Sequence, residues 1–290
     1  MSIEQQITEL FEDQLSGWTL ARNNYEALKQ VQTKQFSFDG FNMEVQFNPQ
    51  RVRSTVAPVE KTNIQKQDTC FLCEENRPEE QKGIEFEQQF LILCNPYPVF
   101  PNHLTIASTI HTPQTIVRNI ATMVSLAKEL PGYIVFYNGP RCGASAPMHL
   151  HFQAGKKISF PLYRDFEFLK NKYGNKINEN TTSIKDGVRT FHIMQGKDLR
   201  TIEKSFYLQF LPDKKEPDFN ILTWFENEEW TICVFNRKKH RPFQFYSEGN
   251  EQLLISPASA EMAGILITPR QEDFEKITKA DIEDIFRQVN

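Results

Sequence analysis

Met148-His149-Leu150-His151-Phe152-Gln153-Ala154 is the stretch whose reading decides the fold. In a strand, successive side chains point to opposite faces. Met148, Leu150 and Phe152 then enter a core, while His149, His151 and Gln153 form a polar row on the other face. Just upstream, Asn138-Gly139-Pro140-Arg141-Cys142-Gly143-Ala144-Ser145 is a glycine-bearing loop able to turn backbone N–H groups toward an anion. Such a loop feeding a histidine-lined strand points to chemistry at phosphorus with histidine as nucleophile. Neutral imidazole is a good nucleophile near pH 7, and its attack on phosphorus gives a phosphoramidate. The second ring nitrogen must be held by an acceptor so that the attacking one keeps its lone pair. Gln153 could donate to one phosphoryl oxygen, and Asn138, Ser145 and the loop N–H groups could hold the others. The competing reading is an amphipathic edge strand with a wet polar face. The Gly-Ala-Ser loop before the strand and the glutamine within it argue against that.

Outward from this strand, Tyr133 to Tyr137 reads as a buried strand leading into the loop. Pro113 to Leu130 reads as an amphipathic helix, with proline at its start and Pro131-Gly132 after its end. Phe86 to Cys94 and Leu104 to Ser108 read as strands. Phe36 to Phe47 alternates as a hairpin turning at Asp39-Gly40. Asn48 to Asp68 has little apolar periodicity and reads as irregular. Ile3 to Val31 reads as helical from Ile7, Leu10, Phe11, Leu15 and Trp18. In the second half, Pro161 to Tyr173 and Asp198 to Phe210 read as helices, with Asp198 as N-cap. Asn220 to Glu226, Glu229 to Phe235, Phe243 to Ser247 and Met262 to Thr268 read as strands. Glu272 to Val289 reads as a charged closing helix. Hairpins and isolated helices without a βαβ rhythm favour an α+β fold on antiparallel sheet. Two divergent copies of one unit are compatible with this, although no repeat is visible in the residues. The lysine- and asparagine-rich stretch Asn171 to Ser183 is the expected linker.

The 290 residues suffice for one large domain or two modest ones with a real core. A net charge of −4 argues against nucleic acid as the main partner. No apolar run is long enough to span a bilayer. The N-terminus shows no secretory signal, so the expected compartment is the cytoplasm. Five cysteines do not make a disulfide scaffold in a chain this long.

Asn138, Gly143-Ala144-Ser145-Ala146-Pro147 and His149-x-His151-x-Gln153 together resemble the active-site strand of the histidine-triad-like (HIT-like) nucleotidyltransferases. These include galactose-1-phosphate uridylyltransferase, the diadenosine tetraphosphate phosphorylases and the GDP-hexose phosphorylases. Asn95-Pro96-Tyr97-Pro98-Val99-Phe100-Pro101-Asn102-His103-Leu104 looks like a strand approach of the dinucleotide phosphorylases. Asn220-Ile221-Leu222, Trp230 and Arg237-Lys238-Lys239 are similar to their later strands. Pro257-Ala258-Ser259-Ala260-Glu261-Met262-Ala263-Gly264 resembles a segment of the GDP-hexose phosphorylases. The N-terminal helix has no such match. The resemblance implies HIT-like antiparallel sheets with flanking helices: a helical segment 1–35, a catalytic half 36–170, and a second α+β half 171–290 that completes the substrate site. It also implies His151 as nucleophile, His149 beside it, and Gln153 as phosphate ligand. The donor would be a nucleotide sugar or dinucleoside polyphosphate, the acceptor phosphate or a sugar phosphate. No nucleic acid or membrane partner is expected, and a homodimer is left open. The alternatives are a nucleotide hydrolase or a non-catalytic nucleotide-binding module of the same fold. Histidine-triad hydrolases typically carry a third histidine where this chain has Gln153, which favours transfer.

Cys70-Phe71-Leu72-Cys73 alone is redox-active, metal-binding or accidental. Zinc needs two further ligands, and His111 and His149 are the candidates. This matches the structural zinc of the uridylyltransferases: a Cys-x-x-Cys, a histidine before a helix, and the first histidine of the catalytic motif. His103 suits a structural hydrogen bond better. Cys94 and Cys233 read as buried thiols, and Cys142 as an exposed one. The resemblance implies that Arg51 and Arg53, the basic residues of this early segment, meet nucleotide phosphates, a role that suits guanidinium because it binds two oxygens at once. Lys239, in the basic run Arg237 to Arg241, is expected to receive the acceptor phosphate. The rival reading of both is solvated charge. Glu261 is assigned to a sugar or ribose hydroxyl by resemblance, and His192 reads as structural.

Overall fold

The computed structural model describes residues 1–56, 70–213 and 215–290, and only the backbone of residues 53 and 54. The side chain of Arg53 and most of the expected irregular stretch after it lie outside the described residues. The chain opens with α1 (Ile3–Gly17), started by a reciprocal Ser2–Gln5 capping box. It stops at Trp18, which is extended and buried, and α2 (Thr19–Leu28) follows. The single helix expected over this region is therefore a helical pair, with Phe11 packed edge-on against Tyr25. Next come β1 (Gln32–Ser37), β2 (Asn42–Phe47) and α3 (Val52–Val56). Gly40 turns the hairpin at φ +89°, where a Cβ would lie within 2.0 Å of the Phe168 ring. The expected strand Phe86 to Cys94 is a hairpin, β3 (Gly83–Phe86) and β4 (Phe90–Cys94), because Glu87 and Gln88 both take positive φ.

After β5 (Leu104–Ser108), α4 spans only Ile120–Glu129. The residues before it do not join the expected helix, because their backbone donors are taken elsewhere. Glu216 accepts from the Ile116 and Val117 amides, and Gln114 N donates to Pro147 O. β6 (Tyr133–Asn138) and β7 (His151–Lys156) flank the candidate loop. α5 (Pro161–Arg164) and α6 (Phe166–Tyr173) replace one expected helix, broken at Asp165. The segment expected as a linker is structured: β8 (Gly174–Lys176) and β9 (Thr181–Lys185) pair in it, with Thr181 and Ile184 buried. β10 (Thr190–Gly196) and α7 (Leu199–Phe210) follow, and Asp198 caps α7 through Thr201 N as expected. β11 (Phe219–Glu226) and β12 (Glu229–Asn236) form a hairpin. The expected strand at Phe243 is helix α8 (Phe243–Tyr246), held by Gln244 on Asp284 and by the Arg241 guanidinium over the Phe245 ring. α9 (Ser259–Met262), β13 (Ile265–Thr268), α10 (Gln271–Lys276) and α11 (Lys279–Val289) complete the chain.

Ten strands form one sheet in the order β3-β4-β5-β7-β6-β11-β12-β10-β9-β8, every neighbouring pair antiparallel. From either edge inward the chain order is first, second, third, fifth, fourth. In both halves a helix, α4 or α7, follows the third strand. The two halves thus repeat one topology and meet where β6 pairs with β11. One face of the sheet, with Val135, Tyr137, Phe152, Ile221 and Ile232, is covered by α1, α2, α4 and α7. The other, with Phe136, Leu222, Cys233 and Phe235, is covered by the small β1-β2-β13 sheet and by α5, α6 and α9 to α11.

Candidate functional site

Strand register builds the site. His151 sits opposite Ala107 on β5, Gln153 opposite Phe136 on β6, and Asn138 opposite Asn220 on β11. Antiparallel pairing places directly opposed residues on one face. His151, Gln153, Asn138 and Asn220 therefore share the face turned toward α9 and the small sheet. β7 begins at His151, so Met148, His149 and Leu150 precede the strand. Leu150 and Phe152 still enter the core, as alternation requires.

The protonation pattern of His151 follows from its partners. Nδ1 lies 2.8 Å from the carbonyl oxygen of His149. A carbonyl only accepts, so Nδ1 carries the proton and Nε2 carries the lone pair. Nε2 is buried and has no hydrogen-bond partner among the described residues. Burial pulls the imidazole down to about 4. The ring is thus neutral at neutral pH, with its nucleophilic nitrogen unengaged. The same burial means that the shielding atoms must yield before a phosphorus can come within bonding distance.

Gln153 is oriented by His103. Val99 N donates to His103 Nδ1 at 3.3 Å, so the proton is on Nε2, which donates to Gln153 Oε1 at 2.8 Å. The Gln153 amide nitrogen is thereby turned outward as a donor. Burial pushes His103 down to about 3, which keeps it neutral. Its expected structural hydrogen bond is thus to the glutamine of the motif itself.

Asn138 is held equally firmly. Its Oδ1 accepts from Asn220 Nδ2 and Ser259 N, both at 2.8 Å. Asn220 also donates to Cys142 O and accepts from Arg237. Arg237 is buried and commits every N–H: Nε to Val289 O, Nη1 to Asn220 and Pro257 O, Nη2 to Lys239 O and His240 O. Of the basic run, Arg237 braces the site. Lys239 lies exposed, with Nζ donating to Gln288 Oε1 at 3.2 Å. Arg51 donates to Tyr97 O at 2.8 Å, and the Glu261 charge bears on both Arg51 and Arg237. Glu261 is buried and accepts from Ala258 N, and burial raises its carboxyl.

Gly143 has φ +94°, and a Cβ there would lie 2.5 Å from Ala258 Cβ. The loop thus packs directly on the N-terminus of α9. Ser145 is exposed at its far end. Cys142 is buried rather than exposed, since its side chain turns under the loop toward Asp218, and burial pushes its thiol to about 12. Cys94 and Cys233 are buried as expected. His192 is half-buried with its ring against Phe210.

Gln114, Asn220, Ser259 and Glu216 were not singled out as functional residues by sequence reasoning. Gln114 is buried and bonds both strands that flank the loop. It accepts from His151 N at 2.8 Å and donates to His151 O and Asn138 O, each at 2.9 Å. No local pattern marks it.

Cys70, Cys73, His111 and His149 converge, with their ligand atoms all within 4.8 Å of one another. Sulfur–nitrogen separations are 3.4 Å (Cys70–His149), 3.1 Å (Cys73–His111) and 3.6 Å (Cys73–His149). Tetrahedral zinc with S at about 2.3 Å and N at about 2.0 Å separates such donors by about 3.5 Å, so the set fits a tetrahedral ion. His149 Nε2 donates to Ser108 O at 2.8 Å, leaving Nδ1 bare toward the thiols, the outer-sphere bond typical of a ligating histidine. Burial and the neighbouring Cys70 raise the Cys73 thiol to about 11.

Residues 10–156, just over half of the chain, match the family described as "Domain of unknown function (DUF4922)". The chain belongs to that family. Residues 185–290 match the family described as "GDPGP1-like, C-terminal domain". No curated protein matches the chain. Among solved structures, yeast Ap4A phosphorylase Apa2 in complex with AMP is 17% identical, with a TM-score of 0.59 over 96% of this chain and 96% of that one. Apa2 in complex with Ap4A is also 17% identical, with a TM-score of 0.61 over 93% and 96%. At such identities the likeness concerns the fold: the HIT-like α+β architecture expected from the sequence is the one observed.

Proposed function

We propose that the protein is a nucleotidyltransferase working through a covalent nucleotidyl-His151 intermediate, with a nucleotide sugar or dinucleoside polyphosphate as donor and phosphate or a sugar phosphate as acceptor. The carrying observation is His151 Nε2: buried, unpaired, and left with its lone pair by the Nδ1–H bond to His149 O. Buried polar atoms are ordinarily hydrogen-bonded. His192 Nδ1 is also unpaired among the described residues, but His151, unlike His192, shares its face with Gln153 and Asn138 beside the glycine-bearing loop. The shared fold with an enzyme named Ap4A phosphorylase supports the reading.

In the first step the Nε2 lone pair forms an N–P bond to the α-phosphorus, and the P–O bond to the leaving phosphate or sugar phosphate breaks. In the second, an acceptor phosphate oxygen forms a new P–O bond as the N–P bond breaks. Nδ1 keeps its proton throughout, and the His149 carbonyl stabilises the positive charge that the ring acquires. The Gln153 amide and the N–H groups of residues 143–146 hold the phosphoryl oxygens. The second half braces this row through Asn220, Arg237 and Ser259. Cys70, Cys73, His111 and His149 would hold zinc, which when bound supplies a structural tie on the segment entering β7.

Intact-protein mass spectrometry after brief mixing with a panel of nucleotide sugars and dinucleoside polyphosphates, without acceptor, tests this. The expected result is an acid-labile gain of one nucleoside monophosphate, discharged by an acceptor and absent in His151→Ala. A folded wild-type protein that gains no such mass from any donor, or a His151→Ala variant that retains turnover, overturns it.

A further inference from the structure

We infer that Gln114 is a positioning residue whose carboxamide wedges β6 and β7 apart and thereby sets the place of His151 Nε2. This rests on the function proposed above. The ladder between these strands ends at Phe136↔Gln153, although β6 runs on to Asn138 and β7 begins at His151. Continuing the register would pair Asn138 with His151 directly. Instead the Gln114 carboxamide occupies that rung. Its oxygen accepts from His151 N, and its nitrogen donates to His151 O and Asn138 O. The side chain acts as an inserted peptide group: it satisfies backbone that the ladder abandons, at a separation set by the length of a glutamine.

The wedge is itself anchored. Gln114 N donates to Pro147 O, and Leu150 N to Thr112 O. Glu216, from the second half, takes Thr115 Oγ1 and the Ile116 and Val117 amides on one carboxylate oxygen, and Tyr137 OH on the other. Residues 112–117 are thus tied to the loop, to β6 and to the second half. The splay they maintain is where residues 139–150 leave the sheet. Without the wedge, two carbonyls and one amide lose their partners, and the strands either close or drift.

The test is Gln114→Met, which keeps volume and deletes all three bonds, beside Gln114→Glu, which keeps the acceptor and loses both donors. With a donor nucleotide that labels wild type, the amplitude of adduct formation counts competent sites and its rate constant reports positioning. The expected result is near-wild-type amplitude and nucleotide affinity, with the rate constant down about 100-fold in Gln114→Met, as for misplacement by about 1 Å. A rate within about threefold of wild type, or a loss of amplitude alone, overturns the inference. So does failure of both variants to fold, because Gln114 then serves the fold rather than the nucleophile. If wild type takes no nucleotide, the function proposed above fails separately. Gln114 is then judged by acylation of His151 with diethyl pyrocarbonate. That rate is expected to rise about tenfold or more in Gln114→Met as local opening unshields Nε2; an unchanged rate overturns the inference.

Discussion

Gly143→Ala tests how the loop is seated. The added Cβ would fall 2.5 Å from Ala258 Cβ and 3.3 Å from Ala258 Cα, at a φ of +94°. Carbon atoms are content near 3.5–4.0 Å, so loop and α9 would have to separate by about 1 Å. The left-handed backbone costs about 1–2 kcal/mol for a residue with a Cβ. Overpacking at a tight contact costs about 1–3 kcal/mol. Stiffening of the unfolded chain returns about 0.4–1 kcal/mol. The net is a loss of about 1–4.5 kcal/mol. At about 2.1 cal/mol/K per residue, a chain of this length loses about 2–7 °C in Tm. Ala258→Gly removes the atom that is met but not the backbone strain. A double-mutant cycle in denaturant is therefore expected to show a favourable coupling of about 1–3 kcal/mol between the two sites. Additive costs, with coupling below about 0.5 kcal/mol, would refute the contact. A Gly143→Ala protein as stable as wild type would refute the strain as well.

Acid should weaken the fold through His103. Its unfolded value is near 6.5, and burial holds the folded value at about 3. Below pH 6.5 the unfolded chain takes a proton that the folded ring refuses, so stability present at neutral pH is lost as pH falls toward 3. By pH 4.5 this amounts to about 2–3 kcal/mol at 1.36 kcal/mol per unit. Urea midpoints should show that fall in wild type and a shallower one in His103→Asn; equal slopes would exclude His103 as the source. For the metal, protein purified without chelator should carry about one zinc per chain by elemental analysis, and Cys73→Ser should lose it. Chelation should lower the wild-type Tm while leaving that of Cys73→Ser unmoved. Identical responses of the two proteins would exclude a structural ion on these ligands.

What the sequence disclosed was what local chemistry writes into neighbouring residues. His149, His151 and Gln153 lie two apart, so alternation alone groups them, and the need for a bare nitrogen foretells an acceptor at the other, found to be the His149 carbonyl. Cys70 and Cys73 advertise their pairing by spacing, and the two histidines expected beside them arrive there. What stayed hidden is carried by register across long chain separations. Asn220 reaches Asn138 only because β11 pairs with β6, and Ser259 reaches it only because α9 abuts the loop. Gln114 lies in a stretch whose apolar spacing imitates a helix start, but Glu216 and Pro147 take its backbone groups. Within the basic run, composition could not tell Arg237, buried under five hydrogen bonds, from Lys239, exposed two residues on.

The repeated strand order explains why, among the described residues, the loop and histidine row occur in one half and not in both. The fourth and fifth strands of the first half, β6 and β7, are separated by residues 139–150, which carry Gly143, Ser145 and the approach to His151. Their counterparts, β11 and β12, are joined by Asn227-Glu228 alone, both at positive φ, in a tight hairpin turn. That turn is far shorter than the 139–150 segment and forms no loop that could wrap around a phosphate. The ladder there also stays closed through Glu226↔Glu229, with no side-chain wedge. The second half keeps the topology and contributes Asn220, Glu216 and Ser259, which bond back across the β6–β11 seam, and Arg237, which braces Asn220 from its own side. On the proposed reading, one copy holds the nucleophile and the loop, and the other has become their scaffold. Variants in the second half should therefore alter the placement of Asn138 and β6 rather than create or remove a separate nucleotide site.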